Sequence, residues 1–164
     1  QLPDSNRAHT KSQGYYQEVG LIVKQARELG MTMPIAGGDG WDSAKLPEIA
    51  GAAALNNTYF SSLYSPDDAS DINKNFVAAY EKAYGQKPDV FAALSYDSAL
   101  LVAEAIKNAG SEDPAKISEA MAKINGFNGV SGSVTFDAQH NPVKSAVILE
   151  YKDGVQSLKT KINP

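Results

Sequence analysis

The chain contains no cysteine. Disulfides, thiolate nucleophiles and Cys-ligated metals are therefore excluded, and a thiol-free chain suits an oxidising compartment. Histidine is scarce: His9 and His140 are the only two, too few for a His-based metal cluster. His9 falls in a polar stretch and His140 in a turn, and both read as surface residues. The HExxH, CxxC, GxSxG and P-loop motifs are missing. No apolar run approaches the length of a membrane span, and no secretory leader is visible. The chain begins at Gln1 rather than Met, so we expect an N-terminal segment outside it. Positive charge is in slight deficit: 15 Lys and Arg against 19 Asp and Glu give a net charge of -4 and a pI near 5.1. That balance offers no footing for nucleic acid or an anionic membrane.

What is present is an ordinary globular composition, 43% hydrophobic and 21% charged over 164 residues, enough for one compact domain with a core. Residues 1–13, QLPDSNRAHTKSQ, are polar and unpatterned. They read as a tail or poorly anchored arm, with a tag remnant as the alternative. From 17 to 29 the spacing of Val19, Ile22, Val23, Ala26 and Leu29 predicts an amphipathic helix, with Lys24, Gln25, Arg27 and Glu28 on its other side and Gly30 as its stop. A short strand over Met33–Ala36, the loop GGDGW, a helix over 43–50 and a strand over Ala54–Phe60 follow. Helix and strand alternating with short joins is the pattern of a parallel sheet with crossover helices.

The stretch YSPDDAS (64–70) breaks this pattern and reads as a linker or crossover. Beyond it, Ile72, Phe76, Val77, Tyr80 and Ala83 form the apolar face of a helix over 71–84. Asp89 caps a helix to about Asn108 whose run FAALSYDSALLVAEAI is apolar on most sides, which predicts burial. Asp113-Pro114 opens another helix, to about Lys123. The remainder is β: Val130–Phe136, a turn over Asp137–Pro142, Ala146–Tyr151 pairing back, and a final strand near Val155–Leu158 after an Asp153-Gly154 hairpin signal.

Four residues stand out as candidate ligand contacts. Asp39 lies between glycines at the carboxyl end of a predicted parallel strand, where open α/β sheets bind ligands, and a carboxylate there can accept charge-assisted hydrogen bonds from an ammonium group. A plain tight turn with a solvated Asp is the alternative. Trp41, the single tryptophan, is either core packing or the apolar wall of a pocket. Tyr15, with Tyr16 beside it, either hydrogen-bonds a ligand or staples the helix entry. Tyr96, with Ser95, Asp97 and Ser98, places polar groups in an apolar helix, either as structural hydrogen bonds or as a cleft lining. Asn56-Asn57-Thr58 matches the glycosylation pattern inside a predicted strand and is read as chance.

The stretch YYQEVGLIVKQARELG (15–30), the loop GGDGW (37–41), FAALSYDSALLVAEAI (91–106), GSEDPAKISEAMAKI (110–124) and FNGVSGSVTFDAQHNPVKSAVILEYKDG (127–154) together resemble, in order, the leucine/isoleucine/valine-binding proteins of ABC transporters. The resemblance covers roughly residues 14–160. It implies an α/β fold: the Rossmann-like lobes of a type I periplasmic binding protein, incomplete in this chain. Lobe two would be represented by about 14–62 and 146–164, and lobe one by about 66–144. The strand expected before Tyr15 is not apparent in residues 1–13.

It also implies capture of an amino acid, branched-chain or similar, in a cleft that closes around it and presents itself to a membrane permease. The protein would be periplasmic or otherwise extracytoplasmic, lipid-anchored or secreted, with no cofactor. Family position assigns Tyr15 and Asp39 to the ligand's α-ammonium, Tyr96 to the cleft face of lobe one and Trp41 to the pocket wall. Relatives often carry Glu where this chain has Asp39, one methylene shorter. The relatives are about twice as long, and the part that holds the ligand's carboxylate lies upstream. Helices such as 90–108 would then expose apolar faces unless the missing N-terminal half covers them or two copies exchange elements. A ligand-sensing domain of the same fold is the alternative function. An enzyme is disfavoured, because no nucleophile–base set can be assembled.

Overall fold

A computed structural model describes residues 10–164. The chain runs through β1 (Thr10–Ser12), α1 (Tyr16–Glu28), β2 (Ile35–Gly37), a 3₁₀ turn (Asp39–Trp41), α2 (Leu46–Ala50) and β3 (Thr58–Ser62). It continues through α3 (Asp71–Tyr84), α4 (Val90–Ala109), α5 (Pro114–Ala122), β4 (Phe127–Gly129), β5 (Gly132–Phe136), β6 (Pro142–Val143), β7 (Ala146–Lys152) and β8 (Val155–Ile162). The described residues form two compact units, 10–63 with 147–161 and 64–146 with 162–164.

The first unit is built on a five-stranded sheet of order β1-β2-β3-β7-β8. Strands β1, β2 and β3 are parallel, and β7 runs antiparallel to β3. The edge strand β1 corrects the reading of residues 1–13 as a tail. Thr10, Lys11 and Ser12 pair with Ile35, Ala36 and Gly37. Nothing in the TKS tripeptide has a strand period; the open backbone ladder of β2 makes it a strand. Residues 1–9, including His9, lie outside the described residues.

Strand β3 begins at Thr58, four residues later than its apolar pattern predicts, because the segment before it turns. Asn57 adopts a positive φ of 62°, a conformation that asparagine tolerates better than most residues. Strand β7 does not pair back on 130–136. It alternates buried Val147, Leu149 and Tyr151 with half-buried neighbours and lies beside β3, with Phe60 opposite Leu149. Asp153 and Gly154 both have positive φ, the two-residue turn that matches strand twist, and β8 returns alongside β7.

One face of this sheet carries the core: Val19 and Val23 from α1, Ile35, Trp41, Leu46, Leu55, Phe60, Leu149 and Tyr151. Trp41, Phe60 and Tyr151 stack in series at centroid distances of 6.2 and 5.8 Å. Burying side chains of this size stabilises by about 1.5–3 kcal/mol each. Helix α1 is narrower than its periodicity predicts, since Ile22 and Leu29 are exposed. Its Arg27, assigned to the solvent side, instead pins the turns around β2 and β3. It donates to Met31 O at 2.6 Å, Met33 O at 2.8 Å, Asn56 O at 3.0 Å and Ala54 O at 3.2 Å.

The second unit consists of α3, α4 and α5 with the antiparallel strands β4, β5 and β6. Its helix ends follow ordinary capping rules. Asp89 accepts from Ala92 N at 2.8 Å and Asp113 from Ala115 N at 2.9 Å, and Gly85 and Gly110 take left-handed C-caps. Helix α4 is not the buried helix its composition predicts. Phe91, Tyr96, Leu100, Val102 and Ile106 are exposed, and only Val90, Ala93, Asp97 and Ala105 are buried. Helix α3 buries Asn73, whose amide donates to Ser65 O, Pro66 O and Asp68 O and so ties down the linker before the helix.

Candidate functional site

The two loops at the carboxyl ends of the parallel strands β1 and β2 meet at a pocket of about 380 Å³ lined by Gln13, Gly14, Tyr15, Gly38, Asp39 and Gly40. This is where a parallel sheet exposes backbone and side chains to a ligand. Tyr15 is the N-cap residue of α1, makes no side-chain cap and is 70% exposed. Its neighbour Tyr16 packs against the core, while Tyr15 lines the pocket. Asp39 opens the 3₁₀ turn and is exposed. Among the described residues no basic side chain lines this pocket, so the Asp39 carboxylate offers a centre suited to a cationic group.

Two glycines set the approach of the loops. Gly14 has φ +142°, and a Cβ on Gly40 would stand 2.7 Å from Gly14 O and 3.3 Å from Tyr15 Cδ1. Only a residue without a side chain lets the Asp39 loop lie this close to the Tyr15 loop. Beneath them, a Cβ on Gly37 would overlap the indole of Trp41, 2.0 Å from Cε2.

Trp41 itself is fully buried. Its Nε1 donates to Ser12 O at 3.3 Å and its ring stacks on Phe60. Of the two roles open to it, the structure shows core packing: the indole lies under the loop and does not line the pocket. Tyr96 belongs to the second unit. It is 47% exposed, its ring lies 4.9 Å from that of Phe76, and with Ile72, Phe76, Tyr80, Tyr84 and Leu100 it lines an apolar groove of about 670 Å³ between α3 and α4.

The polar neighbours of Tyr96 divide. Ser95 and Ser98 are exposed. The buried Asp97 accepts from Val130 N at 2.7 Å, Ser131 N at 2.8 Å and Ser131 Oγ at 2.6 Å, which fastens the β4–β5 turn to α4. Lys144 donates to the same Ser131 Oγ at 2.8 Å. The carboxylate also explains Gly129, where a Cβ would stand 2.5 Å from Asp97 Oδ2. Sequence reading missed Gly40, Arg27 and Asn73, since each acts on backbone that is distant in sequence or reached only after the chain turns. His140 takes a positive φ of 65° in its turn. Among the described residues no group of His, Asp and Glu is placed to hold a metal ion.

A family model described as periplasmic binding protein matches residues 13–156. The chain belongs to that family, and its fold is that of a type I periplasmic binding protein. It is 31% identical over 132 residues to a Leu/Ile/Val-binding protein homolog of Brucella abortus, covering 79% of this chain and 34% of that protein. It is 39% identical to a leucine binding protein from Thermotoga maritima, with a TM-score of 0.90 over 97% of this chain and 45% of that one. A branched-chain amino acid transporter substrate binding protein from Streptococcus pneumoniae, solved with isoleucine, gives 38% identity and a TM-score of 0.84 over 96% of this chain and 45% of that one. The chain thus spans about a third of the curated relative's length and less than half of the two solved chains.

Proposed function

We propose that this chain carries the ammonium side of the ligand site of an extracytoplasmic solute-binding protein, one that captures a branched-chain or similar amino acid for an ABC transporter. One observation carries the reading: Tyr15 and Asp39 line a single pocket at the carboxyl ends of adjacent parallel strands, with no basic residue beside them among the described residues. The carboxylate accepts from the ligand's ammonium and the phenol hydrogen-bonds the same group. The carboxylate end of the ligand is held by residues outside this chain. A membrane permease receives the loaded protein, which is secreted or lipid-anchored. The apolar face of α4 is covered by the remainder of a longer protein or by a second copy of the chain.

Calorimetry of the full-length protein against the twenty amino acids tests this. A zwitterionic, apolar amino acid should bind, and Asp39→Ala should weaken it by about 2–5 kcal/mol, the usual loss when one partner of a desolvated charged pair is removed. Affinity unchanged in Asp39→Ala would remove Asp39 from the site.

A further inference from the structure

Behind the pocket loop lies a second carboxylate, three residues on from Asp39. Asp42 Oδ2 accepts from the hydroxyl of Ser62 on β3 at 2.9 Å, and Oδ1 from Nε2 of Gln156 on β8 at 3.2 Å. Tyr151 on β7 donates to Gln156 Oε1 at 3.1 Å, which turns the amide so that its nitrogen faces Asp42. Burial, and after it the charge of Asp42, pushes the Tyr151 phenol well above its ordinary range, so the hydroxyl keeps its proton as a donor. The backbone N–H of Asp42 closes the 3₁₀ turn on Asp39 O at 3.0 Å. Two strands far from it in sequence, β3 and β8, therefore converge on a residue that neither lines the pocket nor belongs to the apolar core.

We propose that Asp42 is a positioning residue for the ligand site, holding the Gly38–Asp42 loop in the one geometry that presents Asp39 toward Tyr15. This rests on the reading of Asp39 given above. A loop rich in glycine has many alternative conformations to lose on binding. Trp41 anchors it to the core by stacking and by one hydrogen bond, from Nε1 to Ser12 O at 3.3 Å, and a single long bond leaves the turn some freedom to rotate. Directional hydrogen bonds to a carboxylate do. Removing them leaves the loop attached and its turn free to relax, so Asp39 must be ordered at the expense of affinity.

The test is made in the full-length protein with the amino acid that the wild type binds most tightly in the panel above. Dissociation constants and melting temperatures are measured for Asp39→Ala, Asp42→Asn, Ser62→Ala, Gln156→Ala and, as a destabilised control, Val147→Ala. We expect Asp42→Asn, Ser62→Ala and Gln156→Ala each to weaken binding about tenfold or more, the scale seen when a partner that orients a ligand-binding group is removed. Combining Asp42→Asn with Ser62→Ala should add little further. Val147→Ala should lower the melting temperature without changing affinity. If Asp39→Ala weakens binding while the other three leave it unchanged, the positioning role is overturned and the site reading stands. If Asp42→Asn alone weakens it, Asp42 touches the ligand directly and the positioning role is again overturned. Affinity indifferent to Asp39→Ala, or no amino acid bound by the wild type, sinks the site reading and this inference with it.

Discussion

Phe60 of the first unit is 1% exposed, while Phe91 of the second is 68% exposed. Phe91 sits in the more apolar element of the two, yet it is Phe60, in the mostly polar strand TYFSS, that is closed in a core. In the first unit, α1, α2 and the sheet bury a continuous cluster from Val19 to Tyr151. The second unit buries small and polar side chains along α4, such as Ala93, Ala105 and Asp97, and leaves its large ones outward. A helix apolar all round is stable only when surfaces close on several of its sides. The first unit therefore carries its own stabilising surface within these residues. The second is held by its polar anchors and leaves its large apolar side chains exposed.

Substitutions can sharpen or break that contrast. The largest effect should come from Phe60→Ala, which opens a cavity between Trp41 and Tyr151. We expect a loss of about 3–5 kcal/mol, read from chemical denaturation; a loss below about 1 kcal/mol would show that the first core is loose. In the second unit the costly residue should be polar. Asp97→Ala strands the buried donors of Val130 and Ser131 and should cost about 2–4 kcal/mol. If it costs nothing, the β4–β5 turn is held by packing instead.

The smallest effect should be Leu100→Ala, under about 1 kcal/mol in this chain alone because the side chain is already partly in water. If the full-length protein covers that face, as proposed, the loss there should rise to about 2–5 kcal/mol. Sedimentation sets the limit on this argument. The isolated chain should associate through its apolar helix face, and a well-folded monomer would break the comparison.

The two units also differ in how well the sequence foretold them. Helices with caps were readable anywhere: α3 covers 71–84 as its spacing predicts, and Asp89 and Asp113 cap α4 and α5. Burial was readable only where partners lie within the chain. Leu100 and Val102 have the composition of core residues, and their exposure follows from what is not beside them. Strand β1 escaped notice for a related reason, since its three polar residues become a strand through the hydrogen bonds of β2. In the pocket loops, a carboxylate between glycines and a tyrosine at a helix entry were visible as local signals, and the family resemblance singled out Asp39 and Tyr15. The roles of Gly40 and Asp42 were not, because the atoms they meet belong to the Tyr15 loop and to strands β3 and β8.

The sequence by itself determined the long helices and their caps, the α/β class, the absence of cysteine chemistry, and the family through several segments in order. The helices, the class and the cysteine chemistry depend on spacing, on backbone conformational preference and on composition, all of which are properties of neighbouring residues; the family rests on the resemblance of those segments to known proteins. The tertiary structure alone decided that Trp41 lies in the core beneath the pocket, that Ala146–Lys152 joins β3, and that Tyr15 and Asp39 share one cavity. Each of those is a contact across many residues of chain. Its direction is set by which surfaces remain open after the local elements have formed.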